Sequence, residues 1–172
     1  VLFFHNNPLT LLGSKSKSDR LSLLDKCDFI FFNSKWTKQQ FFLDIDDIKY
    51  EEKFGICYQS TKKTNVNLSQ KKNIISFVGK LNTAKGYDIF GEAVVKILNE
   101  FPNWKSIVVG DEPRERHIFK HKNLQIKSFK ENSYVLNLLK QTSIFVACSG
   151  WEEPFGRSSL EASSLACATI IT

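Results

Sequence analysis

The chain has 172 residues, a net charge of +6 and 42% hydrophobic side chains, which suggests one domain or one and a half and excludes disorder as a general description. No apolar run reaches the roughly 18 to 20 residues that a membrane-spanning helix needs. The positive charge favours an anionic partner, whether nucleic acid, a membrane surface or a phosphorylated metabolite, but no zinc-finger or RNA-binding signature accompanies it.

The four cysteines, Cys27, Cys57, Cys148 and Cys167, form neither CxxC pairs nor a compact framework, so reduced cytosolic thiols are expected. There is no Met, even at position 1; the sequence opens on Val1-Leu2-Phe3-Phe4 and closes on the strand-like Ala168 to Thr172. Both ends read as cut, and the expectation is a piece of a longer chain.

In chain order, Val1 to Phe4 reads as a strand that ends at the turn His5-Asn6-Asn7-Pro8. His5 then sits at a strand's carboxyl end, either facing a crevice or as a plain turn residue. Ser18 is placed to cap a helix from Asp19 to Lys26 with Leu21, Leu24 and Cys27 inward. The apolar run Asp28 to Asn33 reads as a strand buried on both faces. Ser34 caps a further helix through Leu43, with Trp36, Gln40 and either Phe41 or Leu43 along one side. From Asp44 to Asn73 the alternation stops, and a short run, Phe54 to Tyr58, is followed by the polar tract Gln59 to Asn65. A domain boundary is placed near residues 60 to 70, dividing the chain into 1–60 and 61–172.

Beyond it, Asn73 to Gly79 is a strand, Lys80 to Gly86 a loop, and from Tyr87 the residues Ile89, Phe90, Ala93, Val94, Ile97, Leu98 and Phe101 follow helical spacing until Pro102. Ser106 to Asp111 is the next strand. Glu112 to Asn123 is a charged loop or helix, Leu124 to Phe129 a short strand, and Asn132 to Gln141 a helix with Val135, Leu136 and Leu139 inward. A strand around Ile144 to Cys148, a loop, a helix from Arg157 to Leu165 and a last strand complete the series. This order is α/β, doubly wound, with right-handed crossovers between parallel strands.

The chemistry gathers at two loops. Ser149-Gly150-Trp151-Glu152-Glu153-Pro154-Phe155-Gly156 leaves a strand and enters the helix that carries Glu161. In an open parallel sheet the carboxyl ends of the strands and the helix N-termini form the ligand crevice, where two carboxylates suit sugar or ribose hydroxyls. Alone, each acid reads equally as a solvated surface group. The second loop holds Lys80 and Lys85 between Gly79 and Gly86, where a diphosphate would meet ammonium groups and backbone N–H donors together; the GxxxxGK[ST] phosphate loop is absent.

Glu153, seven residues, Glu161, with Pro-Phe-Gly after the first acid and Glu-Ala at the second, closely resembles the signature of the retaining glycosyltransferases of family 4, the group 1 enzymes with the GT-B fold. Gly79-Lys80-Leu81 followed by Lys85-Gly86 resembles the Gly-Arg-Leu…Lys-Gly turn of the same enzymes, with Lys80 where Arg is common, so the charge stays and the bidentate fork is lost. The resemblance covers nearly the whole chain. It implies that residues 1–60 are the C-terminal part of an N-terminal, acceptor-side Rossmann-like domain and 61–172 a mostly complete donor-binding domain. The family's glycine-rich loop and its last strands and returning helix lie outside the matched stretch.

It further implies that Lys80 and Lys85 hold the donor diphosphate, Glu161 accepts ribose hydroxyls, Glu153 binds the transferred sugar near the reacting centre, and the backbone of Phe155 and Gly156 faces sugar or phosphate. His5 looks like the family's acceptor-side histidine, and Ser128 and Phe129 lie where the base is often contacted. Catalytic roles thus fall to His5, Glu153, Lys80 and Lys85, and donor binding to Gly79, Lys80, Lys85, Phe129, Glu153, Phe155, Gly156 and Glu161. Ala166 and Ala168 stand where the family has Gly and Pro, so the helix end there is either differently capped or slightly strained.

The function so implied is transfer of a hexose-type sugar from a nucleotide sugar to a glycan or lipid-linked glycan with retention, in envelope polysaccharide or lipopolysaccharide synthesis. The enzyme would be cytoplasmic, at or near the inner membrane face, with a peripheral membrane contact as an optional partner and no nucleic acid. No cofactor is expected; neither an Asp-x-Asp motif nor a His/Cys ligand cluster is read as a metal site, and lysines can stabilise the charge on phosphate. The fragment alone is expected to be inactive, and a noncatalytic nucleotide-sugar binding module is the alternative. A GT-B epimerase or phosphorylase fits the joint Lys and Glu motifs less well, and no GxGxxG supports a dehydrogenase.

Overall fold

Every strand in the computed structural model, which describes residues 1–172, runs parallel to its sheet neighbours. The chain divides into two units, Val1–Ser60 with Glu153–Gly156, and Thr61–Glu152 with Arg157–Thr172.

The first unit carries a three-stranded sheet, β1 (Leu2–Phe4), β2 (Ile30–Phe32) and β3 (Phe54–Ile56), in that order, with helices α1 (Lys17–Lys26) and α2 (Lys35–Phe41) as the crossovers. Its core is aromatic: Phe4, Phe32, Phe41 and Phe42 pack with Leu24 and Ile30. Ring pairs such as Phe32 and Phe41, 5.0 Å between centroids and tilted, are the favourable geometry for aromatic packing.

Helix α1 begins earlier than the sequence pattern predicts. Ser16, not Ser18, is the cap, because the acid three residues on is Asp19. The Asp19 N–H donates to Ser16 Oγ (3.1 Å) and the Ser16 N–H to the Asp19 carboxylate (3.2 Å), a reciprocal box that Ser18 cannot form. On α2 the cap is Ser34, as expected, and of the two alternatives Phe41 is the inward one, joined by Thr37, which the pattern did not single out, while Leu43 is exposed.

The second unit is a five-stranded sheet in the order β6-β5-β4-β7-β8, with β4 Lys72–Val78, β5 Lys105–Val109, β6 Leu124–Lys127, β7 Thr142–Ala147 and β8 Ala168–Ile171. Side chains of β4 alternate between two cores. Ile75 and Phe77 join Tyr87, Phe90, Val94 and Leu98 of α3 (Tyr87–Glu100) on one face. Ile74 joins Val135, Leu138 and Leu139 of α4 (Asn132–Gln141) and Ala162 of α5 (Arg157–Ser164) on the other. Helices on both faces of a parallel sheet are the doubly wound arrangement. Each fully buried side chain of this size contributes about 1.5–3 kcal/mol relative to exposure.

The buried stripe of α3 is narrower than its apolar pattern, since Ile89, Ala93, Ile97 and Phe101 are exposed. The connection between β5 and β6 contains no helix. Residues 113–123 instead form an extended strap beside α3, and Gly91 makes the room for it: a Cβ there would come 2.1 Å from the Phe119 ring. The expected strand Leu124 to Phe129 stops at Lys127, leaving Phe129 73% exposed.

Candidate functional site

In the second unit the strand order reverses between β4 and β7. There the two crossovers depart to opposite faces of the sheet, leaving a crevice outside the carboxyl ends of the strands. From β4 the chain passes through Gly79, Lys80 and Leu81 into a single 3-10 turn, Thr83–Lys85, before α3. Asn82 caps this turn by accepting the Lys85 N–H on Oδ1 (3.0 Å).

Gly86 closes the turn in the left-handed region, φ 70°, and a Cβ on it would stand 1.7 Å from the Cys148 carbonyl oxygen. Only glycine fits, for both conformation and space. The Cys148 thiol donates to the Gly86 carbonyl (3.0 Å), and the Gly150 N–H to the Ala84 carbonyl (3.1 Å). Burial pushes the Cys148 thiol up, so it stays protonated as the donor. The basic turn is thereby fastened to the end of β7. Lys85 Nζ lies 5.1 Å from the Trp151 ring centroid, within cation–π range. On the other side Gly79 donates to the Val109 carbonyl (3.1 Å), and a Cβ at Gly110 would meet the Gly79 oxygen at 1.8 Å.

The turn is also held from the strap. Glu115 accepts the Thr83 N–H (2.7 Å) and the Thr83 hydroxyl on one oxygen, which also meets His117 Nε2 at 2.6 Å. These bonds, the Thr83 hydroxyl foremost, hold the Glu115 carboxyl at about 2. The Glu112 carboxyl is likewise at about 2, chiefly through its paired bonds from Arg114 Nε and Nη2 (2.7 and 2.9 Å), with exposed Lys80 a smaller contributor. A cavity of about 460 Å³ beside these groups is bordered by Leu81, Gly110, Glu115, Ile118, Ile126 and Ser128.

Glu161 lies on the second turn of α5, only 9% exposed. Asn132 Nδ2 donates to its Oε1 (3.2 Å), and Arg157, one turn earlier, stands 3.4 Å from the same oxygen. The helix after β7 and the start of α4 therefore fix the carboxylate together. Phe129 is exposed beyond the end of β6 and joins none of these contacts.

Gly79, Lys80, Lys85, Phe129 and Glu161 all fall in the second unit; His5, Glu153, Phe155 and Gly156 fall in the first. His5 follows β1 and is exposed, with Nδ1 3.2 Å from Gln59 Nε2. Its carbonyl accepts from Asn33 Nδ2 (3.2 Å), whose Oδ1 in turn accepts the Thr37 hydroxyl (2.6 Å). Gly156 has φ 78°, and the Pro154 carbonyl accepts the Ser34 hydroxyl (2.7 Å), so the cap of α2 also binds the Pro-Phe-Gly turn.

Sequence reasoning missed Trp151 as the partner of Lys85, although it stands two residues before Glu153, and missed the Thr83, Glu115 and His117 cluster, for which no local pattern exists. The expectation that the sequence holds no Asp-x-Asp motif is corrected by Asp44-Ile45-Asp46. There Asp46 Oδ1 accepts the Ile48 N–H (3.2 Å), and no group of three or more His, Cys, Asp or Glu side chains comes together as a metal-ligand set.

A search among curated proteins finds no match. Solved structures match across the chain: HepE from Anabaena in complex with UDP-glucose (TM-score 0.74, 14% identity, covering 99% of this chain and 52% of that one). TarM from S. aureus, in complex with Fondaparinux, alpha-GlcNAc-glycerol and UDP, matches at TM-score 0.69 and 12% identity, covering 98% and 36%. The C-terminal domain of LpcC, a glycosyl transferase group 1 family protein from Francisella tularensis, matches at TM-score 0.52 and 26% identity, covering 57% and 56%. The chain thus spans about half or less of the length of the first two, and the likeness to them establishes the α/β, GT-B fold. The family model described as Glycosyl transferases group 1 matches residues 59–172. The chain belongs to the glycosyl transferases group 1 family.

Proposed function

We propose that the second unit carries the nucleotide-binding part of the donor site of a retaining glycosyltransferase and that the chain belongs to an enzyme moving a hexose-type sugar from a nucleotide diphosphate sugar to a glycan or lipid-linked glycan. The observation that carries this reading is the basic turn fastened at the strand-order reversal, with the fixed buried carboxylate of Glu161 on α5, the helix that follows β7. Neighbours of the same fold were solved with UDP-glucose or UDP, which supports the ligand class.

In this reading Lys80 and Lys85 take the diphosphate, with backbone N–H groups of the Gly79 to Gly86 turn as further donors. Glu161 offers Oε2 to ribose hydroxyls while Asn132 and Arg157 engage Oε1, and Ser128 and Phe129 lie toward the base. Glu153 and the backbone of Phe155 and Gly156 bind the sugar, and His5 serves the acceptor side. In the reaction the bond from sugar C1 to the phosphate oxygen breaks, its electron pair leaves with the nucleoside diphosphate, and an acceptor hydroxyl bonds to C1 as its proton passes to the departing diphosphate. The lysines stabilise the charge that develops on the departing phosphate. They do so without a metal, as two positive charges supplied by the chain itself. Residues 1–60 are proposed as the end of the acceptor-side domain, and envelope polysaccharide synthesis in the cytoplasm as the setting.

Calorimetric titration with UDP-, GDP-, ADP- and TDP-sugars tests this. One nucleotide class should bind, and EDTA should leave the affinity unchanged. No heat with any donor at millimolar concentration would remove the reading, and loss of binding on chelation would remove its metal-free part. The alternative, a binding module without catalysis, predicts binding with no sugar transfer even when the longer chain is assayed with acceptor.

A further inference from the structure

The strap that replaces a helix between β5 and β6 has two faces of different chemistry. Along residues 114–123 exposure alternates with the period of an extended chain. One set of alternate residues is turned inward and anchored. Glu115 bonds Thr83, and His117 and Phe119 meet the Tyr87 ring edge-on at 6.2 and 5.6 Å. His121 Nδ1 accepts the Asn123 N–H, and Asn123 Nδ2 donates to the Pro102 and Trp104 carbonyls (2.9 and 3.1 Å).

The other set, Arg114, Arg116, Ile118, Lys120 and Lys122, is exposed. It forms a ridge of four cations around an isoleucine that is 75% exposed. Ile126 of the edge strand β6, 44% exposed, borders the same cavity as Ile118. The acids of the segment do little to neutralise the ridge. Glu115 is engaged by Thr83 and His117, and Glu112 by Arg114, which leaves Arg116, Lys120 and Lys122 as the outward charge, with Asp111 exposed at the strap's start.

We propose that this ridge is a docking surface for an anionic lipid bilayer, with Ile118 entering the headgroup region and Arg116, Lys120 and Lys122 pairing with lipid phosphates. Two exposed isoleucines ringed by cations match an interface that is apolar below and anionic above. Nucleic acid is the lesser fit, because the ridge presents no aromatic side chain on which a base could stack. The ridge residues are held by the strap's anchored face and need no bound donor, although Arg116, Ile118 and Ile126 also border the cavity beside the basic turn, so the docking surface adjoins the proposed donor site.

The test is co-sedimentation of the chain with vesicles of phosphatidylcholine alone or with 30 mol% phosphatidylglycerol, at about 0.1 M salt. Binding to the anionic vesicles alone is expected. Lys120→Gln with Lys122→Gln should lower the partition coefficient about 25-fold, at about fivefold per surface charge, and Ile118→Ser about tenfold. A control pair of equal charge, Lys62→Gln with Lys63→Gln, should change it less than threefold, and thermal melts establish that each variant is folded. No binding by the unsubstituted chain, equal loss in both lysine pairs, or an unchanged partition for Ile118→Ser would overturn the proposal. Tight binding to a short DNA duplex that is indifferent to Ile118→Ser would assign the ridge to nucleic acid instead.

Discussion

Glu115 is a surface carboxylate that clasps the basic turn, since one of its oxygens takes two bonds from Thr83 and meets His117. Those bonds favour the ionised form, so the folded-state pKa is about 2 against an ordinary 4.5. A lowered carboxyl contributes stability in full above pH 4.5 and loses it as pH falls through the folded value. The Thr83 amide resonance should therefore titrate with a midpoint near 2, and Glu115→Gln should abolish that titration; a midpoint near 4.5 would mean that the clasp does not form in solution. Ala166 is a second residue with a readable cost. It holds φ 56° at the end of α5, with the Cys167 N–H bonded to the Ala162 carbonyl and the Ala166 N–H to that of Ser163. This is the Schellman closure, which glycine normally makes. Ala166→Gly should raise unfolding free energy by about 1 kcal/mol in urea titration; a decrease would show that the left-handed turn carries no strain. That position was readable in sequence, because the missing glycine stood out against a recognised motif, whereas Glu115 was not, because its partner lies 32 residues away on another loop.

Among the elements, those bounded by local chemistry were readable. Asn132 to Gln141 is helical to the residue, and Ser34 caps α2 as its place before an apolar stripe implies. Errors came where two local signals competed or where a distant neighbour decided. Ser16 outcompetes Ser18 through Asp19, and the strap lies extended because Gly91 admits Phe119. Another feature without a sequence signal joins α4 and α5. Lys71 Nζ donates to the carbonyls of Leu139 (3.0 Å), Thr142 (2.7 Å) and Leu165 (2.6 Å), setting one ammonium on the C-terminal ends of two helices. Charge and dipole are matched there, and three acceptors are satisfied at once. Lys71→Met keeps the apolar stem and should lower stability by about 2–3 kcal/mol in the same titration; a loss under about 0.5 kcal/mol would show that water replaces the ammonium without cost.

For the molecule as a whole, strand-helix alternation made the α/β class readable, and the polar tract after Tyr58 lies where the two units part. Strand order was not readable, since placing β7 beside β4 depends on contacts across some 60 residues, such as Gly86 against Cys148. Composition alone would have left a basic α/β protein with several kinds of anionic partner. The Glu153 to Glu161 and Gly79 to Gly86 motifs narrowed that to one family, and the fold then set Lys85 and Glu161 in one unit at a strand-order reversal. The central claim is that these two residues bind a nucleotide diphosphate sugar. Its most direct test is a thermal-shift titration with UDP-, GDP-, ADP- and TDP-sugars, with NAD as control, for the chain and for Lys85→Ala and Glu161→Gln. The account predicts stabilisation by one nucleotide class, growing with the logarithm of its concentration, with affinity reduced roughly 10- to 100-fold in each variant. A folded chain that no donor stabilises, or equal shifts in all three proteins, would contradict it.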